Sequence, residues 1–245
     1  MEVTLIDYTG AGTSDPARYA ANVLVFTKNT RLEMSPGLMA DIEAKPWWEI
    51  EAALQYMART IPSSHEFVNY TFLIRGVTRA FTHQFVRTRT GSYAQQTMRV
   101  LNVGGWNYAA GPSLPEGTLQ RNRYNNAMSE VAKAYDDLIE CGVPEEDARG
   151  VLPTNILTNI VAKFDMRTLV GMVRSRSSPR TQDEYRRVLE AMKQRAREVH
   201  PWIDIFVERT ADAAARELDR AIADLPVDRA EKVRLTKLVD ELRKD

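Results

Sequence analysis

Residues 66–76 constrain the fold most, because apolar and polar side chains alternate along them in the order EFVNYTFLIRG. The apolar face consists of Val68, Tyr70, Phe72 and Ile74. A period of two predicts a strand with one buried face. The opening segment 2–8, EVTLIDY, predicts a second, shorter strand. Segment 154–165, TNILTNIVAKFD, fits a strand or a helix equally well.

Helical patterns dominate the rest of the chain. The start signals are Asp15 with Pro16, Ser35 with Pro36, Thr78 before RAFTHQFVRTR, and Thr181 with Glu184 as a capping box. Between Thr118 and Glu140, apolar residues recur every three or four positions, which predicts a long amphipathic helix with its apolar stripe in the core. A strand is expected at 99–103, and 166–174 predicts a short helix. The fold class is therefore α+β, with helices in the majority.

Charge and composition narrow the function. The chain has 33 Lys and Arg against 33 Asp and Glu, which argues against a general nucleic-acid coat. Neither a signal-peptide pattern nor a long apolar run is present, so no membrane association and a cytoplasmic location are the default expectations.

The cysteine and histidine content of the chain argues against thiol chemistry and against a metal site. The single cysteine, Cys141, excludes an intramolecular disulfide, and we expect it to be a small buried residue where a helix ends at Gly142. The three histidines are widely spaced, so no metal site is expected. His200, before Pro201 at a helix end, is interpreted as structural.

Residues 78–100 hold four arginines, one histidine and three glutamines in an otherwise neutral protein. Arginine is concentrated at three places: Arg87, Arg89 and Arg99; Arg149; and Arg167, Arg174, Arg176 and Arg180. Guanidinium groups bind phosphate with two parallel hydrogen bonds. If the three places converge, they form a nucleotide or dinucleotide pocket, although no glycine-rich phosphate loop is present. Taken singly, each place is better explained as solvated surface.

Residues 76–100, GVTRAFTHQFVRTRTGSYAQQTMRV, resemble the signature of flavin-dependent thymidylate synthases. That signature has Gly-Val-Ser-Arg-Ala, then Gln two residues before Arg-His-Arg, then Ser-Tyr-x-Gln-Gln-Ser-x-Arg-Tyr. Two further blocks resemble the family in order and spacing. Residues 142–153, GVPEEDARGVLP, match its Ala-Arg-x-x-Leu-Pro, and residues 174–186, RSRSSPRTQDEYR, match its Leu-Arg and Ala-Gln-x-Glu-Ile-Arg.

The resemblance implies a single domain over 1–245 with a central sheet that contains antiparallel strands, and with 211–245 as a helical C-terminal extension. It implies a homotetramer with active sites between subunits and bound FAD. The implied reaction is reductive methylation of dUMP at C5, in which methylenetetrahydrofolate supplies the carbon and NADPH the electrons. No protein nucleophile and no nucleic-acid polymer take part.

Carried over by position, the implied nucleotide-binding residues are Gln84, Arg87, Gln95, Thr97, Arg99, Arg149 and Arg176. The implied FAD contacts are Arg87, Thr88, Arg89, Gln95, Asp165, Arg167 and Gly171. The resemblance implies that Arg176 meets the uracil edge, where positive charge would stabilise electron density that develops during attack from C5. Arg176 is therefore the first candidate for a catalytic role, with the hydroxyl of Thr97 as the second.

Several positions depart from the signature: Thr88 replaces histidine, Thr97 serine and Val100 tyrosine, while Asp165 and Arg180 replace asparagine and histidine. The change at Thr88 removes an imidazole that could stack, hydrogen-bond and titrate beside a flavin. Three alternatives to dTMP formation therefore stay open. They are C5 methylation of UMP, as in a relative from nucleoside-antibiotic pathways, a hydroxymethyl product, and an inactive or RNA-binding relative.

Overall fold

The computed structural model describes residues 1–29, 35, 37–97, 107–176, 181–207, 218 and 221–242. The strands are β1 (Glu2–Tyr8), β2 (Asn69–Thr78), β3 (Ser92–Gln95) and β4 (Leu157–Asp165). The helices are α1 (Pro16–Asn29), α2 (Leu38–Ala44), α3 (Trp47–Met57), α4 (Arg79–Phe85), α5 (Leu119–Glu140), α6 (Glu145–Ala148), α7 (Met166–Arg176), α8 (Asp183–Val199), α9 (Ile203–Val207) and α10 (Arg229–Leu242). Short 3-10 helices lie at Pro62–Phe67 and Arg149–Val151.

The four strands form one antiparallel sheet in the order β1-β2-β4-β3. In the central pair, Tyr70 lies opposite Phe164 and Phe72 opposite Ala162, and these side chains are buried in the main core. The period-two pattern of residues 66–76 is therefore confirmed. Segment 154–165 contains a strand rather than a helix, and the α+β fold class is confirmed.

The turn from β2 into α4 positions the residues of the signature. At Gly76, φ is +65°, the pairing with β4 shifts register, and the backbone N–H donates to Asn159 Oδ1 at 3.0 Å. Glycine adopts this left-handed backbone without a steric penalty. Thr78 then caps α4, since its Oγ1 accepts a hydrogen bond from the backbone N–H of Phe81 at 3.1 Å. The predicted cap at Thr78 is confirmed, and Arg87 and Arg89 follow the helix in a loop.

Two predicted helix starts are wrong. Ser35 does not begin α2, whose first residue is Leu38 with Gly37 at the N-cap position; Pro36 lies outside the described residues. The capping box at Thr181 does not form either, because α8 begins at Asp183 with Gln182 at the N-cap. Glu184 instead accepts hydrogen bonds from the N–H and the hydroxyl of Thr78, at 2.9 and 2.5 Å, and so joins α8 to the start of α4.

Helix α5 corrects two expectations about burial. Its apolar stripe was expected in the core, but Tyr135 is its buried residue, Tyr124 and Met128 are half-buried, and Leu119 is 64% exposed. Among the helices and strands that the structure describes, those packed most closely against α5 are the short α6 and the 3-10 helix after it, which do not cover a 22-residue helix. Cys141, expected to be buried, is exposed at the C-terminal cap of α5.

The expected strand at 99–103 lies outside the described residues. In the C-terminal region, Ile222 and Val239 pack with Leu235 in a small cluster of their own. The assignment of 1–245 to one domain with a 211–245 extension stays a prediction. Within the described ranges, no helix has the length and apolar character needed to cross a membrane.

Candidate functional site

The loop from Val86 to Gly91 is held against the sheet by Tyr93. The hydroxyl of Tyr93 donates to the carbonyl oxygens of Phe85 and Thr88, at 3.1 and 2.7 Å, and burial raises the pKa of Tyr93 to about 12. The hydroxyls of Thr90 and Thr168 are 3.0 Å apart and link this loop to the start of α7. Arg87 and Arg89 therefore project from an anchored loop, and both are exposed.

A first group of site residues surrounds Arg79. Its Nη2 donates to the carbonyl of Gln96 at 2.8 Å, whereas its Nε is buried with no partner among the described residues. Burial and the nearby positive charge of Arg149 lower the pKa of Arg79. A buried guanidinium N–H beside a second guanidinium is an environment that an anion would relieve. Sequence reasoning did not assign Arg79 a role, although it lies directly after the capping Thr78.

Two glutamines of the signature are fixed close to α4. The side-chain amide of Gln95 donates to Thr82 Oγ1 at 3.0 Å, and that of Gln84 donates to Gln182 Oε1 at 2.9 Å. Gln84 is thereby tied to the start of α8, next to a cavity of about 280 Å³ between α4, α8 and segment 109–112. Both amides keep a carbonyl oxygen with which a base edge could be recognised.

A second group contains Thr88, Tyr185 and Arg176. Tyr185, on the first turn of α8, is 2% exposed, and burial raises the pKa of its phenol against the opposing effect of Thr88 and Arg176 nearby. The guanidinium carbon of Arg176 lies 5.6 Å from the centroid of the Tyr185 ring. Sequence reasoning missed Tyr185. The one available signal was its position directly before the pair Arg186–Arg187, in a block already matched to the family.

A third group surrounds the first turns of α7. Asp165 Oδ1 accepts from the backbone N–H of Thr168 at 2.7 Å, so this predicted flavin contact also caps the helix. Arg167 forms an ion pair with Glu66 at 2.5 Å. Gly171 lies in the next turn of α7 and is exposed, with open space where a Cβ would stand.

A cavity of about 330 Å³ lies beside this third group, and its wall includes His65, Arg167, Gly171 and Arg174. His65 is 6% exposed, and its Nε2 has no hydrogen-bond partner in the described part of the chain. Burial, and then the positive charges of Lys28, Arg174 and Arg167, lower the pKa of His65 to about 4. The neutral imidazole therefore keeps an unused nitrogen within a positive environment.

These features fit one end of an anionic cofactor such as FAD. Its diphosphate would offset the repulsion among the cations, and a polar ligand could pair with His65 Nε2. Arg174 already donates to the carbonyl of Phe206 at 2.5 Å, so its position is fixed before a ligand arrives. Over the described residues, no cluster of three or more histidine, cysteine or acidic side chains could hold a metal ion.

The predicted residues that the structure describes thus fall into three groups, around Arg79, around Tyr185 and around the first turns of α7. Thr97 is exposed shortly after β3, and Arg99 and Arg180 lie outside the described residues. Arg149 lies in the first group, where its Nε donates to the carbonyl of Glu146 at 3.0 Å.

Comparison with known proteins identifies the family of this fold. A family model described as thymidylate synthase complementing protein matches residues 4–202. The chain belongs to that family. The resemblance found in the signature is thereby confirmed, and it extends from the signature to β1 and to the end of α8.

Curated relatives agree with this membership. A flavin-dependent thymidylate synthase from Nitratidesulfovibrio vulgaris is 35% identical over 167 residues, which are 62% of this chain and 68% of that protein. Proteins of the same name from Geobacter sulfurreducens and Saccharolobus solfataricus are 35% and 37% identical, over 56% and 54% of this chain. The chain spans 60% and 51% of the length of these two relatives.

Proposed function

We propose that this chain is an FAD-dependent enzyme that methylates C5 of dUMP, with methylenetetrahydrofolate as carbon donor and NADPH as reductant. The observation that carries the proposal is the arrangement along α7. A cavity with His65, Arg167 and Arg174 in its wall adjoins one part of this helix, and Arg176 stands at its last turn. Flavin and nucleotide could therefore be held by a single rigid element. The names of the relatives, with 30 to 37% identity, support the same activity.

The nucleotide is the proposed ligand of the first group. The phosphate would pair with Arg79 and Arg149, which otherwise repel each other, together with Arg87 and Arg99. Gln84 and Gln95 would present amides to the base, and Thr97 a hydroxyl. Arg176 would face the uracil carbonyl, where its charge stabilises the electron density that develops as C5 attacks the one-carbon unit.

The flavin is the proposed ligand of the third group and of the anchored loop. Arg167, Arg174 and His65 would hold its diphosphate, and Gly171 would leave room beside it. Thr88, Arg89, Gln95 and Asp165 complete the proposed contacts. When bound, FAD supplies the two-electron chemistry. In the overall reaction C5 loses a proton and gains the one-carbon unit, and two electrons from NADPH reduce that unit to methyl.

We also infer assembly into a homotetramer, with sites completed between subunits. One observation supports it: the apolar stripe of α5 is only half-buried within one chain. Light scattering coupled to gel filtration tests this assembly. A monomer at micromolar concentration would contradict it.

The activity is tested by mass spectrometry of nucleotides. The FAD-loaded protein is incubated with methylenetetrahydrofolate, NADPH and equal amounts of dUMP and UMP. We expect a methyl gain mainly on dUMP. A methyl gain mainly on UMP would identify the ribonucleotide as the substrate. A hydroxymethyl gain would show that the product carries a hydroxymethyl group instead of methyl. If neither nucleotide changes and affinity instead rises with RNA length, as neutralisation of successive phosphates requires, the enzymatic proposal fails.

A further inference from the structure

Tyr185 connects the anchored loop to Arg176. Its ring is packed edge-to-face against Phe81 and Phe85, with centroids 5.4 and 5.9 Å away, and it is 2% exposed. Such packing allows the ring one orientation. The ring of Tyr185 is therefore held rigidly, whereas the side chains of Thr88 and Arg176 lie nearer the surface.

Tyr185 is electrostatically sensitive to both of those neighbours. Burial raises the pKa of its phenol, and the nearby side chains of Thr88 and Arg176 oppose that rise. The guanidinium carbon of Arg176 also lies 5.6 Å from the ring centroid, within the range of a cation–π contact. One face of this ring thus restricts a long, exposed side chain at the end of α7.

A free arginine samples many rotamers, and ordering it on substrate binding costs about 2 kcal/mol in conformational entropy. An aromatic face that already holds the guanidinium removes part of this cost. We propose that Tyr185, held by Phe81 and Phe85, is a positioning residue that orients Arg176 toward the uracil edge. This inference rests on the proposed function of Arg176.

Positions 88 and 185 both depart from the signature, which has histidine and isoleucine there. The two positions are linked through Phe85, whose ring lies 5.9 Å from that of Tyr185 and whose carbonyl shares the hydroxyl of Tyr93 with the carbonyl of Thr88. The side chain is smaller at Thr88 and larger at Tyr185, so the pair together approximates a volume-conserving exchange. The loss of the imidazole is therefore coupled to the gain of a phenol beside Arg176.

The first test is a double-mutant cycle between Tyr185 and Arg176, read as kcat and as the dissociation constant of dUMP. Tyr185→Leu is expected to lose about tenfold in kcat or affinity, and Tyr185→Phe, which keeps the ring, about threefold. In an Arg176→Ala background Tyr185→Leu should cost nothing further. The same loss in both backgrounds would overturn the proposal. Tyr70→Phe is the control, since it removes a buried phenol elsewhere in the core and should lower stability alone.

The second test does not depend on activity. The Nε–H proton of Arg176, identified by its absence from the NMR spectrum of Arg176→Ala, lies near an aromatic ring and should carry a ring-current shift. We expect the signal to move in Tyr185→Leu and to stay nearly in place in Tyr185→Phe. An unchanged signal in Tyr185→Leu would overturn the positioning role even if the enzyme methylates dUMP. A changed signal in an inactive protein would refute the proposed reaction alone.

The third test uses the opposite changes in side-chain volume at positions 88 and 185 relative to the signature. Thr88→His enlarges the side chain on the loop next to Tyr185 and should reduce kcat about tenfold. Adding Tyr185→Ile should restore most of that loss. If the double variant instead shows the product of the two single losses, the residues are independent and the proposal is wrong.

Discussion

His200 should make the fold sensitive to acid. It is fully buried, its ring stacks on Trp202 at 5.0 Å, and its two nitrogens bridge Tyr70 and Thr9. The carbonyl of Thr9 can only accept, so Nε2 carries the proton. Nδ1 then accepts from the hydroxyl of Tyr70, whose pKa is raised by burial. Both nitrogens are satisfied only in the neutral imidazole, and the expectation that His200 is structural is confirmed.

The size of the effect follows from the pKa. Burial lowers the pKa of His200 from 6.5 to about 4. Between these two pH values, His200 therefore binds a proton in the unfolded chain but not in the folded chain. Stability is therefore lost as the pH falls from 6.5 toward 4. Between about pH 7 and about pH 5, proton linkage gives a loss of about 2 kcal/mol in the free energy of unfolding.

Urea unfolding of the wild type and of His200→Gln at these two pH values measures this loss. The Gln amide can still donate to Thr9 but does not titrate, so the variant should lose about 2 kcal/mol less than the wild type over the same interval. His65, whose pKa is also lowered to about 4, contributes to both proteins and cancels in the difference. Equal pH dependence in the two proteins would refute the reasoning.

Three other outcomes follow from the contacts at the site. Glu184→Gln should lower the free energy of unfolding by about 2 kcal/mol because the carboxylate accepts two hydrogen bonds from Thr78, whereas Glu190→Gln on the exposed face of α8 should change it little. Arg167→Met should weaken FAD affinity about tenfold by fluorescence titration, with Arg186→Met as the exposed control. Equal FAD affinities would remove Arg167 from the cofactor site. Cys141→Ser should leave turnover within about twofold, since an exposed cap residue has no part in the proposed reaction, and its complete loss with normal folding would contradict that reaction.

Local signals predicted the elements that depend on nearby residues. The alternation of residues 66–76 identified β2, and Thr78 and Thr118 cap α4 and α5, because a hydroxyl three residues before a backbone N–H needs no tertiary partner. The start of α8 could not be found in this way. Glu184 has the spacing of a capping box, but Thr78, more than a hundred residues earlier, supplies stronger donors.

The burial of side chains and the convergence of distant residues were harder to predict from the sequence. Both depend on how the helices and strands pack against one another. The stripe of α5 and Cys141 were expected inside, although the elements packed against α5 are short. Arginine content indicated a candidate site but did not distinguish Arg79, which is partly desolvated, from Arg87, which is exposed. The contact between Phe85 and Tyr185 joins residues 100 positions apart in the chain, and only the fold brings them together.

The central claim, that flavin reduction is coupled to methyl transfer onto a uridine monophosphate, is tested most directly by a single turnover. FAD bound to the protein is reduced without oxygen by one equivalent of dithionite and then mixed with methylenetetrahydrofolate and dUMP. We predict that the absorbance of oxidised flavin returns only when both are present, with one methylated nucleotide formed for each flavin. A flavin that stays reduced while no methylated nucleotide appears, with either dUMP or UMP, would contradict the account.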